Sequence, residues 1–407
     1  MKNKYVLVGS LLLSNFFAKA QKVNSNDSIR VNQTEVELVY NHYTQDGENS
    51  AITGGIGTEK LSVFGPSINV AKSFGDNTIS YQLGADIISS ASTDNIDAIK
   101  SSASKLDTRS YANIHYSKTF AKNKLTVNAG VGASIESDYF SFGKYLGVTK
   151  TSKDNMQTYG AQIQIFNDDL RWGRLNKKTN FGPHNLIYPG ELRYQEWYDV
   201  YKRHSYNLNL NFSQIADQRN VFGVFGAFSY QNGLLATPFH RIYFSDNTVA
   251  VEQLPENRTK VSLGLKWNRF ISGNLILKNS VNGYTDNFSI QGFAIENETA
   301  LKLNSKWTVF SNVRYYNQSD SDYYAPYKAH ESNSEFYTSD NDLSKFNTLK
   351  IGLGTKFNPF SYSSDSKRFD TATLSYNYYK RSNNLSAHMV SLTIKYSRFR
   401  KQKLNRK

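Results

Sequence analysis

Cysteine is absent from the 407 residues, which excludes disulfides and thiolate-held metal centres. Proline is scarce, seven in all, as continuous sheet requires, because proline cannot donate to a strand ladder. Beyond the N-terminal segment no apolar run approaches the roughly 20 residues that a membrane helix needs. The helix formers Leu, Ala and Glu are not prominent. Asn, Ser, Thr, Tyr and Val are, with 28 Tyr and 25 Phe, and this is a β composition. The length suits two or three soluble domains or one large barrel.

Acidic charge is in deficit: the formal net charge is +14. Part of the excess lies in the N-terminal address. Lys2 and Lys4 precede the apolar run Tyr5 to Leu13, and Ala18-Lys19-Ala20 has the small-x-small form of a cleavage site. Residues 1–20 are read as a signal peptide cut after Ala20, and 21–32 as a short lead-in. At the other end Arg398, Arg400, Lys401, Lys403, Arg406 and Lys407 make a basic tail, with 400–407 read as lying outside the fold. An exported chain is a poor nucleic-acid binder. The tail suits anionic lipid heads, cell-wall polymer or a periplasmic partner, or it is simply solvated.

Alternation dominates what remains. In 305–324, Trp307, Val309, Ser311, Val313 and Tyr315 fall on one face, with Thr308, Asn312, Arg314, Tyr316 and Gln318 on the other. Ile79 to Ile87, Leu125 to Ile135, Tyr206 to Phe212, Val261 to Trp267, Leu349 to Phe357 and Val390 to Tyr396 repeat the pattern. Period two marks a strand between two different surroundings. Sixteen strands follow: 33–44, 59–72, 77–88, 107–118, 124–136, 140–150, 155–166, 200–212, 221–231, 259–271, 274–284, 288–303, 306–318, 346–359, 369–381 and 387–399. The alternation is muddied in 140–150 and 274–284.

The connections sort by length. "SFGD", "TFAKN", "TSKD", "SG" and "NS" are tight, whereas 45–58, 89–106, 167–199, 232–258 and 319–345 are long and fall at the opposite end of an up-and-down meander. Short periplasmic turns and long external loops are the pattern of outer-membrane barrels. Trp307 and Tyr315 share a face about 26 Å apart along the strand, close to the height of a barrel's apolar band. Trp267, Phe357, Tyr396 and Phe399 sit toward the periplasmic strand ends and complete an expected aromatic girdle. The apolar face is therefore expected to meet lipid and the polar face a wet lumen. On this parity Leu353→Arg should harm assembly far more than Gly352→Arg. A cysteine at Ser321 should be labelled from outside the cell, and one at Asn123 should not.

Candidate chemistry is sparse. "TGGIGTEK" (53–60) lacks the ending and the following helix of a phosphate loop. Asp94 with Asp97, and Asp320 with Asp322, offer oxygen ligands without EF-hand spacing. None of the seven histidines has a paired metal spacing. His388 and Ser391 fall on opposite faces by parity, so they cannot act together locally. Tyr315, Tyr316, Tyr323 and Tyr324 suit either a stacking platform or an interfacial girdle. No catalytic residue, cofactor or metal is expected. The segment 167–199 is dense in opposite charges: Asp168, Asp169, Arg171, Arg174, Lys177 and Lys178 are the expected pore constriction if this loop folds inward.

The stretches "SSASKLD" (101–107), "SDYFSFG" (137–143), "VRYYNQSDSDYY" (313–324) and "YTSDNDLS" (337–344) resemble a Bacteroidota family known only as a domain of unknown function, DUF3570. The chain departs from the family pattern at Val313, where another Tyr is usual, and at Asn341 and Asp342, where an aromatic and a basic residue are usual. The resemblance implies an exported outer-membrane barrel and supplies no ligand or catalytic residue. A suspected link of related barrels with envelope redox proteins comes from the resemblance alone.

The expectation is one all-β domain over 33–399, a transmembrane antiparallel up-and-down barrel of about 16 strands in the outer membrane. Such a barrel encloses an aqueous lumen unless something fills it. The leading function is porin-like passage of small polar or anionic solutes. The alternatives are a loop-occluded barrel that docks envelope partners, with the resemblance pointing to redox-related ones, and an outer-membrane enzyme.

Overall fold

The computed structural model describes residues 30–90, 106–136, 139–170, 202–237, 240–359 and 367–402. The strands β1 (Arg30–Asp46), β2 (Leu61–Phe74), β3 (Asn77–Ser90), β4 (Leu106–Phe120), β5 (Leu125–Ile135) and β6 (Phe140–Thr151) run up and down in order. They are followed by β7 (Gln157–Asp169), β8 (Lys202–Ile215) and β9 (Asn220–Gly233). A small hairpin, β10 (Arg241–Tyr243) and β11 (Val249–Val251), stands outside the wall. The wall resumes with β12 (Asn257–Phe270), β13 (Leu275–Asp286), β14 (Gln291–Lys302) and β15 (Trp307–Gln318). It ends with β16 (Phe346–Phe357), β17 (Lys367–Arg381) and β18 (Ser386–Gln402).

Sixteen of these strands form one closed antiparallel barrel, sealed where β18 pairs with β1 along its whole length. Each of the sixteen expected strands overlaps one wall strand. The hairpin β10–β11 lies within 232–258, which the sequence marks only as a long connection. β1 starts at Arg30, inside the expected lead-in 21–32, and β18 runs to Gln402, so Arg400 and Lys401 continue a strand. Closure leaves no edge, so every strand donates and accepts on both sides. No helix among the described residues is long and apolar enough to cross a membrane.

The outer surface is apolar. Leu353 is 66% exposed, and Leu83, Leu146, Leu263 and Ile163 are also well over a third exposed. In a water-soluble fold these side chains would be buried; here they form a continuous lipid-type exterior. Rings collect at the ends of the band. Trp307 packs on Phe357 with centroids 4.7 Å apart, Trp267 stacks on Phe222 at 6.4 Å, and Tyr315 meets Phe293 at 6.0 Å. Tyr396 is also outward and exposed. Phe399 departs from the expected girdle. It pairs with Gln33 three residues beyond Tyr396, which puts it on the opposite parity, toward the lumen.

The two muddied strands are full wall members, and the cause lies on their outer faces. Lys144 pairs with Val131 and Ile165, and thus interrupts the outward run Phe142, Leu146, Val148. Asn279 pairs with outward Trp267 and accepts a hydrogen bond of 2.8 Å from Asn297 Nδ2, so the polar intruder is satisfied within the wall.

Loop sorting is real but incomplete. The turns after β2, β4, β6, β8, β12 and β14 are all short, and the chain enters and leaves the barrel at that same end. At the other end lie the long connections 47–60, 234–256 and 319–345, together with three four-residue turns after β5, β13 and β17.

Candidate functional site: the lumen and its bridged mouth

The lumen wall is built from the polar half of each strand. Several inward side chains are too large to stand upright without filling the bore. They lie flat against a glycine of the neighbouring strand instead: Tyr111 across Gly84, Phe225 across Gly264, Phe310 across Gly354. A Cβ at those glycines would collide with the ring. Glycine is therefore required there for close approach.

Charge is distributed unevenly around the bore. On β12–β16 the inward positions carry Arg258, Lys260, Lys266, Lys278, Lys302, Arg314, Lys350 and Lys356, eight cations against the three carboxylates Asp286, Glu296 and Glu298. The wall opposite, on β3–β8, is mostly amide and hydroxyl, with Gln82, Asn113, Asn128, Gln162 and Asn209 pointing inward. Some inward charges pair across strands: Lys278 with Glu298 at 2.6 Å, Lys350 with Glu296 at 3.6 Å, and Lys395 with Glu37. Two of these inward lysines remain wet, whereas Lys350 is largely covered. The side chains of Lys278 and Lys395 are 50% and 44% exposed although they point into the barrel.

The long-loop end is bridged. The connection 47–60 joins β1 to β2, and 234–256 joins β9 to β12, on diametrically opposite sides of the sixteen-strand ring. They nevertheless touch. Gly54, at φ +81°, lies so close to the Tyr243 ring that a Cβ would sit 2.6 Å from it. The connection 319–345 fills in beside them. Ser245 donates its N–H to His330 O at 2.9 Å, Tyr337 N–H bonds Gln253 O at 2.8 Å, and a Cβ on Gly55 would meet Ser339 O at 2.7 Å. Three loops from separate parts of the wall thus form a crossbar over the mouth.

A buried polar node holds the crossbar. Glu252 accepts from Thr338 Oγ1 and from the Thr237 N–H, and its Oε1 lies 3.3 Å from His240 Nδ1. Asp340 sits 4.0 Å from the same nitrogen. Burial alone would raise the Glu252 carboxyl, but His240 and the hydrogen bonds hold it below the usual carboxylate range. Burial, reinforced by the Asp342 carboxylate, raises Asp340. Arg381 anchors Asp342 at 2.7 Å from β17, and Gln318 Nε2 donates to Ser344 O at 2.7 Å from β15. Beneath the node a cavity of about 40 Å³ is lined by Arg203, Arg258, Glu252 and Asp340, room for a water but not for a solute. Both guanidiniums are held from behind, Arg203 by Asp168 and Arg258 by Asp286, each through Nε at 2.9 Å.

The candidate constriction fares unevenly. Arg171, Arg174, Lys177 and Lys178 lie outside the described residues. Asp168 points inward and is locked by Arg203 and by Ser141 Oγ at 2.7 Å, whereas Asp169 has the opposite, outward parity. The two carboxylates therefore do not act as a pair. Ser321 is only 4% exposed, because it tucks under Leu343, so the expected labelling there is overturned. Ser391 bonds Asn41 inside the barrel while His388 meets Tyr376 outside, on opposite faces. No cluster of three or more metal-binding side chains occurs among the described residues. Sequence reasoning missed the crossbar node. Its strongest available signal was "YTSDNDLS", whose Thr338 and Ser339 are almost fully buried.

A family model described as "Protein of unknown function (DUF3570)" matches residues 100–390. No curated protein matches the chain. Among solved structures, a bacterial polysaccharide outer membrane secretin is similar at 13% identity and a TM-score of 0.44, over 90% of this chain and 98% of that one. OccK1 (OpdK) of Pseudomonas aeruginosa is similar at 10% identity and a TM-score of 0.42, over 91% and 99%. A BenF-like porin from Pseudomonas fluorescens Pf-5 is similar at 10% identity and a TM-score of 0.41, over 90% and 99%.

Proposed function

The chain belongs to the DUF3570 family, and from the barrel itself we propose that it is an outer-membrane conduit for small polar solutes, with anions favoured. The observation that carries this reading is the wet charge inside the bore. A filled barrel would bury its inward lysines, yet Lys278 and Lys395 keep about half of their side chains in contact with solvent. The eight cations of β12–β16 against three carboxylates set a positive potential along one wall, which attracts anions and gives apolar solutes no surface. In this reading the signal segment 1–20 directs export, the short turns face the periplasm, and the crossbar faces outward. The apolar exterior meets outer-membrane lipid, and the basic tail meets lipid heads or cell-wall polymer. The role involves no catalysis.

The crossbar supports a second reading. Loops that meet across the mouth narrow it and make a fixed external surface, as a docking scaffold for envelope proteins needs. Planar-bilayer recording separates the two. The conduit predicts channels whose reversal potential in a salt gradient is displaced toward anions, and whose anion preference falls in Lys266→Gln. A correctly folded barrel without any conductance moves the function to docking.

A further inference from the structure

One row of the lumen wall stands apart from the rest. Thr308 on β15 is the register partner of both Lys302 on β14 and Lys356 on β16. Lys356 in turn faces Thr373 on β17, and Thr373 faces Thr393 on β18. All five point into the bore, so β14–β18 present the sequence Lys, Thr, Lys, Thr, Thr along one line of hydrogen-bonding partners. Lys278, Lys350 and Lys395 each have a carboxylate within reach. Lys302 and Lys356 have none within 4 Å among the described residues, and both are exposed to the lumen. Lys356 is instead surrounded by like charge, from Lys395, Lys278 and Lys302. The three hydroxyls have no hydrogen-bond partner among the described side chains. The wall thus gathers two unpaired ammonium groups around one unpaired hydroxyl in a single row. Lys260 and Lys266 also lack a carboxylate within 4 Å among the described residues, but their register partners, Ser229 and Asp286, and Gly223 and Ser280, bring no second lysine.

We propose that this row is a binding site for a phosphate group carried by the permeating solute. Adjacent strands lie about 4.8 Å apart, so the α-carbons of Lys302 and Lys356 are roughly 10 Å apart with Thr308 midway. Two flexible ammonium groups approaching from either side suit a tetrahedral oxyanion, which accepts charge-assisted hydrogen bonds on several oxygens at once. The Thr308 hydroxyl lies between them as a third donor. Thr373 and Thr393 extend the row toward the middle of β18, so a bound phosphate has hydroxyl partners on the way along the bore. Chloride, a single spherical ion, would use only one or two of these donors.

The site lies in the lumen on which the conduit reading rests, so binding and conductance are measured separately. Full-length barrel in detergent is dialysed to equilibrium against radiolabelled inorganic phosphate. Wild type should bind phosphate, with sulfate competing and equimolar chloride not. The double variant Lys302→Gln/Lys356→Gln should weaken binding by at least about tenfold, while Lys153→Gln in an exposed turn leaves it unchanged. Thr308→Val keeps both charges and should weaken binding about threefold; it decides the matter if the double variant fails to show the heat-dependent gel shift of a folded barrel. Unchanged phosphate binding in the folded double variant, or no binding by wild type, overturns the site. Channels without phosphate binding would overturn the site and leave the conduit standing. Phosphate binding without channels would do the reverse.

Discussion

Replacing Leu353 by Arg places a guanidinium on the outer face of β16, midway between the aromatic pair Trp307–Phe357 at one end of the band and Tyr315 at the other. Leu353 is the most exposed large apolar side chain of the described exterior, at 66%. An Arg near the bilayer midplane of a barrel costs about 2–4 kcal/mol, which is roughly a 30- to 700-fold loss in the folding equilibrium. Ser375→Arg is the matching control. Ser375 pairs with Gly354 and Ser391 on the lumen side at similar depth, where the new charge meets water. Gly352→Arg, which parity alone marks as harmless, is a poor control: Asn377 and Asn312 occupy the space its Cβ needs. Reversible urea unfolding from lipid vesicles gives the free energies, and heat-dependent gel mobility reports the folded fraction. Equal losses for Leu353→Arg and Ser375→Arg would refute the assignment of outer and inner faces.

Other consequences are testable in the same way. A cysteine at Ser332, exposed on the 319–345 connection, should react with an impermeant thiol reagent on whole cells, and one at Asn123 in the turn after β4 should not; the opposite labelling inverts the barrel. Gly354→Val should drive the Phe310 ring off the wall, costing about 1–3 kcal/mol and lowering conductance; an unchanged conductance would mean that the ring does not border the path. The crossbar should respond to pH in two directions. Glu252 is depressed, so its contribution is present above the ordinary carboxylate range and lost as pH falls through its lowered value. Asp340 is raised, so its contribution is present below that range and lost as pH rises through its raised value. Glu252→Gln should therefore flatten the acid limb, and Asp340→Asn the alkaline limb, of amide-exchange protection at Thr338. Identical profiles in the two variants would exclude the node as the cause.

Strand number, strand bounds and the facing of most side chains follow from the sequence, because a period of two is local. Each residue's side is set by its neighbour's, whatever closes the wall. Ile351, Leu353 and Trp307 accordingly lie on the outer face, and the alternation weakens where Lys144 and Asn279 put polar groups on that face. Phe399 is near Tyr396 in the chain but three residues on, and the same parity turns it inward.

The crossbar has no such local rule. Gly54, Tyr243 and Ser339 come together only because the ring closes at β1–β18 and brings the β1–β2 connection opposite the β9–β12 connection. The burial of Ser321, the pairing of Asp168 with Arg203, and the convergence of Lys302 and Lys356 on Thr308 likewise depend on which strands are neighbours. Alternation states which face a residue takes. Which residues of other strands share that face at the same height is decided by register and shear around the closed wall, and those are properties of the whole ring.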